Sequence, residues 1–515
     1  MQGFPILSLI LAAPFIGALI VMFTPRNSYY APRVLSAIAA SVSLIASLYV
    51  LFTYNWHAGG FQFEEFVPLI PALGIQYHVA VDGMSVALLI LTAFIIFTGV
   101  FTSWTVPERA KEFYALLLLL VTGVFGVFMS LDLFLFFLFY ELAVLPMYLL
   151  IGIWGSTKYI VPRGLFGRMF QELKVGTKEY SAMKLTLYLL FGSAFILVGI
   201  LAIYKVSGQF LAQNTFDFLQ LSKISFPKEF QRVFFPVIYV GFGVLAGIWP
   251  LHTWSPDGHA AAPAAGSMMH AGVLMKLGAY GVVRVGMQLM PEGALMWAWL
   301  VGTIATINIV YGALSAMWQT DLKYIIAYSS VSHMGVVMLG AATLTEPGLN
   351  GSIFQMVAHG FMTGLMFALV GLVYEKTHTR NILEMGGLGK RMPGIATFFT
   401  IGGLSSLGLP ALAGFVAEFL VFLGAWQSHK WYWLLPAIAG AFFTAIYVLR
   451  ALKIIFWGPF NEKYKDVPDA QGPEWVSLVV LSGLLIIMGV LPFILLHPIN
   501  AAAVELLTTI KGALP

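Results

Sequence analysis

Apolar residues in this chain fall in long unbroken runs, separated by short connections that hold nearly all of its charge. Runs of roughly 17–25 residues match the length a helix needs to cross about 30 Å of hydrocarbon, and about fourteen of them can be counted. They lie at 4–23, 34–54, 83–103, 113–130, 132–153, 182–204, 233–255, 264–287, 295–317, 322–343, 350–374, 394–426, 431–457 and 474–497. The pattern predicts an all-α polytopic membrane protein. Between the second and third runs, Phe61 to Val81 alternates aromatic and polar residues around Pro68, Pro71 and Gly74, which reads as a short hairpin at the surface. At the end, Glu505 and Lys511 are interleaved with Leu506, Leu507 and Ile510, the pattern of an interfacial helix. The first run, Phe4 to Phe23, has no basic n-region and no small-residue cleavage site, and reads as a membrane helix instead of a signal peptide.

Two of the runs are interrupted. The seventh carries Pro250 within Gly247-Ile-Trp-Pro-Leu-His252, and the twelfth carries Gly408-Leu-Pro-Ala-Leu-Ala-Gly414. A proline inside a helix frees a backbone carbonyl, and such breaks survive in lipid only when buried in protein or lining a wet cavity. Interrupted spans at corresponding places in two halves point to an inverted-repeat transporter with sites near the midplane.

Composition agrees with the pattern: 59% of residues are hydrophobic and 10% charged, too much apolar surface for a soluble domain. There is no cysteine, which excludes disulfides, thiolate metal sites and cysteine-held iron–sulfur clusters in this chain. The formal charge of +4 reflects topology more than an anionic partner. Alternate connections, beginning with the first, hold most of the basic residues, among them Arg26, Arg33, Arg109, Lys111, Lys158, Arg163, Arg168, Lys323, Arg380, Lys390 and Lys465. The opposite set has few, Arg232, Arg284 and Lys430 among them. The positive-inside rule then makes the first set cytoplasmic and places both termini outside, and it leaves no nucleic-acid role. Gly386-Gly-Leu-Gly-Lys390 lacks P-loop spacing and reads as a loop turn.

Candidate chemistry sits where charge is least tolerated. Glu141, Lys276 and Glu418 each interrupt an apolar run, and an intramembrane ionisable group is by default a functional-site hypothesis. Glu141 follows Asp132, the expected helix cap, by nine residues, so it lies about 14 Å deep. His333 and His359 fall within the tenth and eleventh runs, where a neutral imidazole can take a proton on one nitrogen and release one from the other. No single helix carries metal-ligand spacing such as H-x-x-x-H. The pattern describes a proton or ion path.

Tyr140-Glu-Leu-Ala-Val-Leu-Pro-Met-Tyr148, Pro250-Leu-His-Thr-Trp-Ser-Pro-Asp-Gly-His259, Ala262-Pro-Ala-Ala-Gly-Ser267, Ala271-Gly-Val-Leu-Met-Lys276, Ile326-Ala-Tyr-Ser-Ser-Val-Ser-His-Met-Gly335 and Gly414-Phe-Val-Ala-Glu-Phe419 span most of the chain. Together they resemble the antiporter-like proton-translocating subunits of respiratory complex I, in particular its M type, the counterpart of mitochondrial chain 4. Glutamate at 418, where L- and N-type relatives usually carry lysine, favours M. The resemblance implies fourteen helices with two inverted five-helix repeats and broken helices seven and twelve. It divides the chain into 1–112, 113–290, 291–458 and 459–515. It further implies that Glu141 is the input-side glutamate, Lys276 the central lysine, His333 and His359 the connecting histidines and Glu418 the terminal glutamate. His259 belongs to the pattern after the broken seventh helix. The implied assembly is a proton-pumping NADH:quinone oxidoreductase of the bacterial plasma membrane, with L- and N-type neighbours. NADH or another donor, FMN, iron–sulfur clusters and quinone would be handled by other subunits, with no cofactor in this chain.

One departure stands out. The family pattern places a lysine five residues before the seventh-helix proline, and here that position is Leu245. Either His270 or Lys184 supplies the missing cation, or this is a divergent copy that carries protons differently or serves as a scaffold. A related subunit of a membrane-bound hydrogenase or cation/proton antiporter would share the same helices and charges.

Overall fold

The computed structural model describes residues 4–25, 28–106, 108–157 and 174–512. The expected basic positions Arg26, Lys158, Arg163 and Arg168 lie outside them. The chain opens with α1 (Ile6–Met22) and α2 (Ala31–Thr53), then the antiparallel pair β1 (Gln62–Ile70) and β2 (Ile75–Val81), joined through a 3-10 turn at Pro71–Leu73. Thus the surface hairpin expected from the aromatic–polar alternation forms. Helices α3 (Gly83–Thr102), α4 (Ala110–Met129), α5 (Leu133–Trp154), α6 (Lys178–Ser207) and α7 (Lys228–Ala246) follow.

Aspartates start three of the helices that matter most. Asp82 accepts the amide of Ser85 at α3, and Asp132 accepts those of Phe134 and Leu135 at α5. Asp321 does the same for Lys323 at the start of a later helix. Each carboxylate satisfies amides that a helix start leaves without partners.

The seventh run is broken as expected. Gly247 ends α7 in the left-handed region at φ +71, and helix resumes as the short α8 (Trp254–Ala261). The eighth run differs from the unbroken span its hydrophobicity suggests. It consists of α9 (Ala264–Met269) and α10 (Met275–Gly281), joined and followed by π-helical segments at His270–Leu274 and Val282–Met287. Apolar content measures burial, not backbone register, so the wide turns leave no trace in a hydropathy pattern.

The second half holds α11 (Pro291–Trp318), α12 (Leu322–Ala342) and α13 (Glu346–Thr377), then the second break between α14 (Pro393–Ser406) and α15 (Ala413–Gln427). Gly408 and Ala411 take positive φ there, +72 and +73. Helices α16 (Trp431–Leu452), α17 (Glu474–Val490) and α18 (Phe493–Gly512) complete the chain. Among the described residues eleven helices are long and apolar enough to cross a membrane, and α1, α15 and α17 are shorter apolar helices.

Helices α12 and α13 form the interior, nearly all of each being buried. Close approach needs glycine at the α11–α12 crossing, where a side chain at Gly335 would come within 2.7 Å of the Ala305 carbonyl. Opposite faces of the bundle differ. One carries the hairpin and α18, which lies across helix ends: Pro498 abuts Gly83 at the start of α3, and Asn500 accepts from Asn350 near the start of α13 at 2.6 Å. α18 starts at Phe493, inside the run expected to span 474–497, and is itself long and apolar enough to span. The other face is closed by Arg380, bonded to Asp321 (3.5 Å) and the Ala260 carbonyl (2.7 Å), and by Lys376 with Glu474.

Candidate proton path

Lys276 projects from α10 into the interior with no solvent exposure. An ammonium so placed needs hydrogen-bond acceptors. It has two: the carbonyl of Ala271 and Nδ1 of His359 on α13, at 2.7 Å. The π-helical turn before Lys276 shifts the backbone ladder, so the Met275 amide reaches back to the His270 carbonyl. The Ala271 carbonyl beside it accepts from the side chain.

His359 leads to His333 on α12, their ring centroids 5.3 Å apart. The outer nitrogen of His359, Nε2, is buried and has no partner among the described residues. His333 is held on both sides. Its Nε2 faces Ser406 Oγ at 3.1 Å, on the last residue of α14 before the break. Its Nδ1 lies 3.3 Å from a carboxylate oxygen of Glu418 on α15 and 3.1 Å from the amide of Gln355. Glu418 in turn presses on the broken backbone, since a side chain added at Gly408 would come within 2.9 Å of Oε2. Lys276, His359, His333 and Glu418 are each under 10% exposed, so they form one buried line from the centre to the second break.

The contacts at His333 Nδ1 admit two proton positions. When Nδ1 carries hydrogen, it donates to the Glu418 carboxylate; when it does not, it accepts from the Gln355 amide or from protonated Glu418. Gln355 Oε1 has no partner among the described residues. A group with acceptors and donors for both states can pass a proton without leaving a buried charge unpaired.

The remaining expected residues are not joined to this line in the same way. Glu141 lies midway along α5 with one carboxylate oxygen buried and unpartnered. The neighbouring hydroxyl is that of Ser193 on α6. Leu245 is fully buried, and puts no charge between the two regions. Lys184 does not serve Glu141: its ammonium is bound to Asp257 at 2.7 Å, and it precedes Ser193 by nine residues, about 14 Å along α6. His270 is fully buried beside Trp254 and His259, its ring 4.0 Å from that of His259. No group of three or more metal-ligating side chains occurs among the described residues.

Three polar partners were not anticipated from sequence. Gln355 precedes His359 by four residues and therefore shares its helix face, a spacing that could have revealed it. Ser406 is hidden in an ordinary helix end. Arg284, counted above as a loop charge, is buried in the π-helical segment and paired with Asp82 at 2.6 Å, with Tyr280 and Gln288 as further partners.

A broken-helix bundle threaded by buried Lys, His and Glu defines an antiporter-like membrane subunit. Residues 167–444 match the family described as NADH:quinone oxidoreductase/Mrp antiporter, TM, and the chain belongs to that family. It is 36% identical to NAD(P)H-quinone oxidoreductase chain 4 1 of Nostoc sp., over 99% of this chain and 93% of that protein. It is 33% identical to NADH-quinone oxidoreductase subunit M of Rickettsia prowazekii, over 98% of this chain and 99% of that protein. The fold is similar to a chain of respiratory complex I from Thermus thermophilus with bound NADH, with a TM-score of 0.85 at 29% identity, covering 97% of this chain and 99% of that one. It is also similar in fold to a chain of the Mrp complex from Dietzia sp., with a TM-score of 0.83 at 21% identity, covering 99% of each.

Proposed function

We propose that this chain is the M-type, chain-4-like membrane subunit of an NADH- or NAD(P)H:quinone oxidoreductase, in which it carries protons across the membrane. The observation that supports this most is the buried line Lys276, His359, His333, Glu418, in which successive groups meet at 2.7 Å, at 5.3 Å between rings and at 3.3 Å. Isolated charges in a membrane interior are costly, and four titratable groups in series on four elements have no simpler use than proton transfer. The electron carriers belong to other subunits: the donor site, FMN, iron–sulfur clusters and quinone site lie outside this chain, and L- and N-type subunits flank it. The work is conformational or electrostatic. A bacterial plasma membrane suits the relatives, with the hairpin face outward and the Arg380 face cytoplasmic.

Leu245 favours a second reading for the first half of the chain. Without a cation facing Glu141 among the described residues, that carboxyl stands outside the path, and the line from Lys276 to Glu418 conducts without it. The test is the intact complex reconstituted in vesicles, carrying Lys276→Met. We expect normal assembly on native gels and a loss of proton translocation through this subunit on the order of 10²-fold, the contribution of one proton-transfer group. Unchanged translocation with normal assembly would make the whole chain a scaffold. The subunits that purify with it decide between a quinone reductase and an antiporter or hydrogenase assembly.

A further inference from the structure

Lys276 has no exposed surface, so protons reach it only through other groups. Resting on the reading that Lys276 to Glu418 conducts, we infer that His270 delivers those protons, drawing them from the Lys184–Asp257 pair near the face opposite the hairpin.

The pair is placed to meet water. Asp257 Oδ2 lies 2.7 Å from Lys184 Nζ, its Oδ1 accepts from Tyr324 at 2.8 Å, and the two side chains are 23% and 18% exposed. Lys184 follows Lys178 by six residues, about 9 Å from the start of α6. Every side chain beyond the pair toward Lys276 is buried.

His270 is the next group inward. Its ring rests on Gly258, the neighbour of Asp257, so closely that a side chain there would come within 3.0 Å of Cε1 and of Leu185, the neighbour of Lys184. Glycine at 258 is therefore what lets the ring approach the pair. Both nitrogens of His270 are buried and unpartnered among the described residues, as is Nδ1 of the adjacent His259. Buried polar atoms are almost always hydrogen-bonded, and a histidine kept for packing is normally pinned through at least one nitrogen. Three such atoms within one ring stack, between an ion pair and a lysine, specify a small hydrated site. On its far side lies the destination, because the Lys276 ammonium rests on the carbonyl of Ala271, the residue after His270.

The step balances simply. After Lys276 has given its proton to His359, the neutral amine takes the proton on one nitrogen of His270, and the other nitrogen takes one, through water, from the Lys184 ammonium, which regains it from bulk water. One proton enters, one leaves, and the imidazole ends neutral in its other tautomer. Glu141 has no part in this route.

The experiment uses the whole complex in vesicles with His270→Gln, which keeps size and hydrogen bonding but carries no proton. We expect assembly to persist and translocation to fall at least ten-fold, to the level of Lys276→Met. If Lys276→Met abolishes translocation while His270→Gln leaves it unchanged, the His270 branch is wrong and the path beyond Lys276 stands. If neither variant changes it, the path itself is wrong. Should His270→Gln fail to assemble, X-ray radiolytic labelling of the unmodified complex decides. Trp254, packed on His270, should label several-fold faster than the equally buried Trp433, and equal rates would overturn the hydrated site.

Discussion

At the scale of residues, conduction depends on which atoms can hold a proton and which partners they have in each state. His333 can change tautomer because Gln355 and Glu418 share its Nδ1 and Ser406 holds Nε2. Replacing Gln355 with leucine removes the donor that stabilises the unprotonated nitrogen, so proton transfer past His333 should slow by about ten-fold, while Gln355→Glu should retain most of it; initial rates of vesicle acidification check both. Arg284 and Asp82 behave differently, because they form a buried ion pair. Breaking the pair with Arg284→Met should cost about 3–5 kcal/mol and prevent assembly, whereas joining it to Asp82→Leu should restore much of the loss. Native-gel yield of the complex measures this. Glu141, Lys276 and Glu418 could be found from sequence because each interrupts an apolar run. Arg284 was misplaced because charge near the end of a span reads as a loop until the partner, two hundred residues away, is seen.

At the scale of elements, most helices and both breaks were legible, since apolar length and internal Pro or Gly carry that information directly. The π-helical turns around Lys276 were not, because they change hydrogen-bond register without changing composition. The hairpin is tied down by His78, buried on β2 between Asp217 (2.6 Å) and Glu64 (2.9 Å). Burial works against its charge, but hydrogen bonds and attraction from Asp217 and Glu64 outweigh it, and the imidazole is held above its ordinary range. A raised value means that the stabilisation is fully present below the ordinary histidine pKa and is lost as pH rises through the raised one. Amide protection in β1 and β2, taken relative to the intrinsic exchange rate at each pH, should therefore fall on going from mildly acidic to alkaline pH. In His78→Gln the protection should be lower at acidic pH, and its ratio to the intrinsic exchange rate should no longer fall through the histidine range.

At the scale of the whole molecule, the two faces and the buried line between them make one device. Its lack of cysteine gives a clean test of orientation. A cysteine introduced by Ala58→Cys, beside the hairpin, should react with an impermeant maleimide in intact cells, and one introduced by Lys465→Cys only after permeabilisation. The same architecture at 21% identity shows that the bundle tolerates wide sequence change, so function rests on a few buried side chains. The line from Lys276 to Glu418 is complete without Glu141, and it conducts without that carboxyl. Proton translocation measured alongside quinone reduction in vesicles tests it most directly, comparing Glu418→Gln with Glu141→Gln. Glu418→Gln should lose the contribution of this subunit and Glu141→Gln should keep it; the reverse result, or no loss in either, would rule out conduction along the Lys276–Glu418 line.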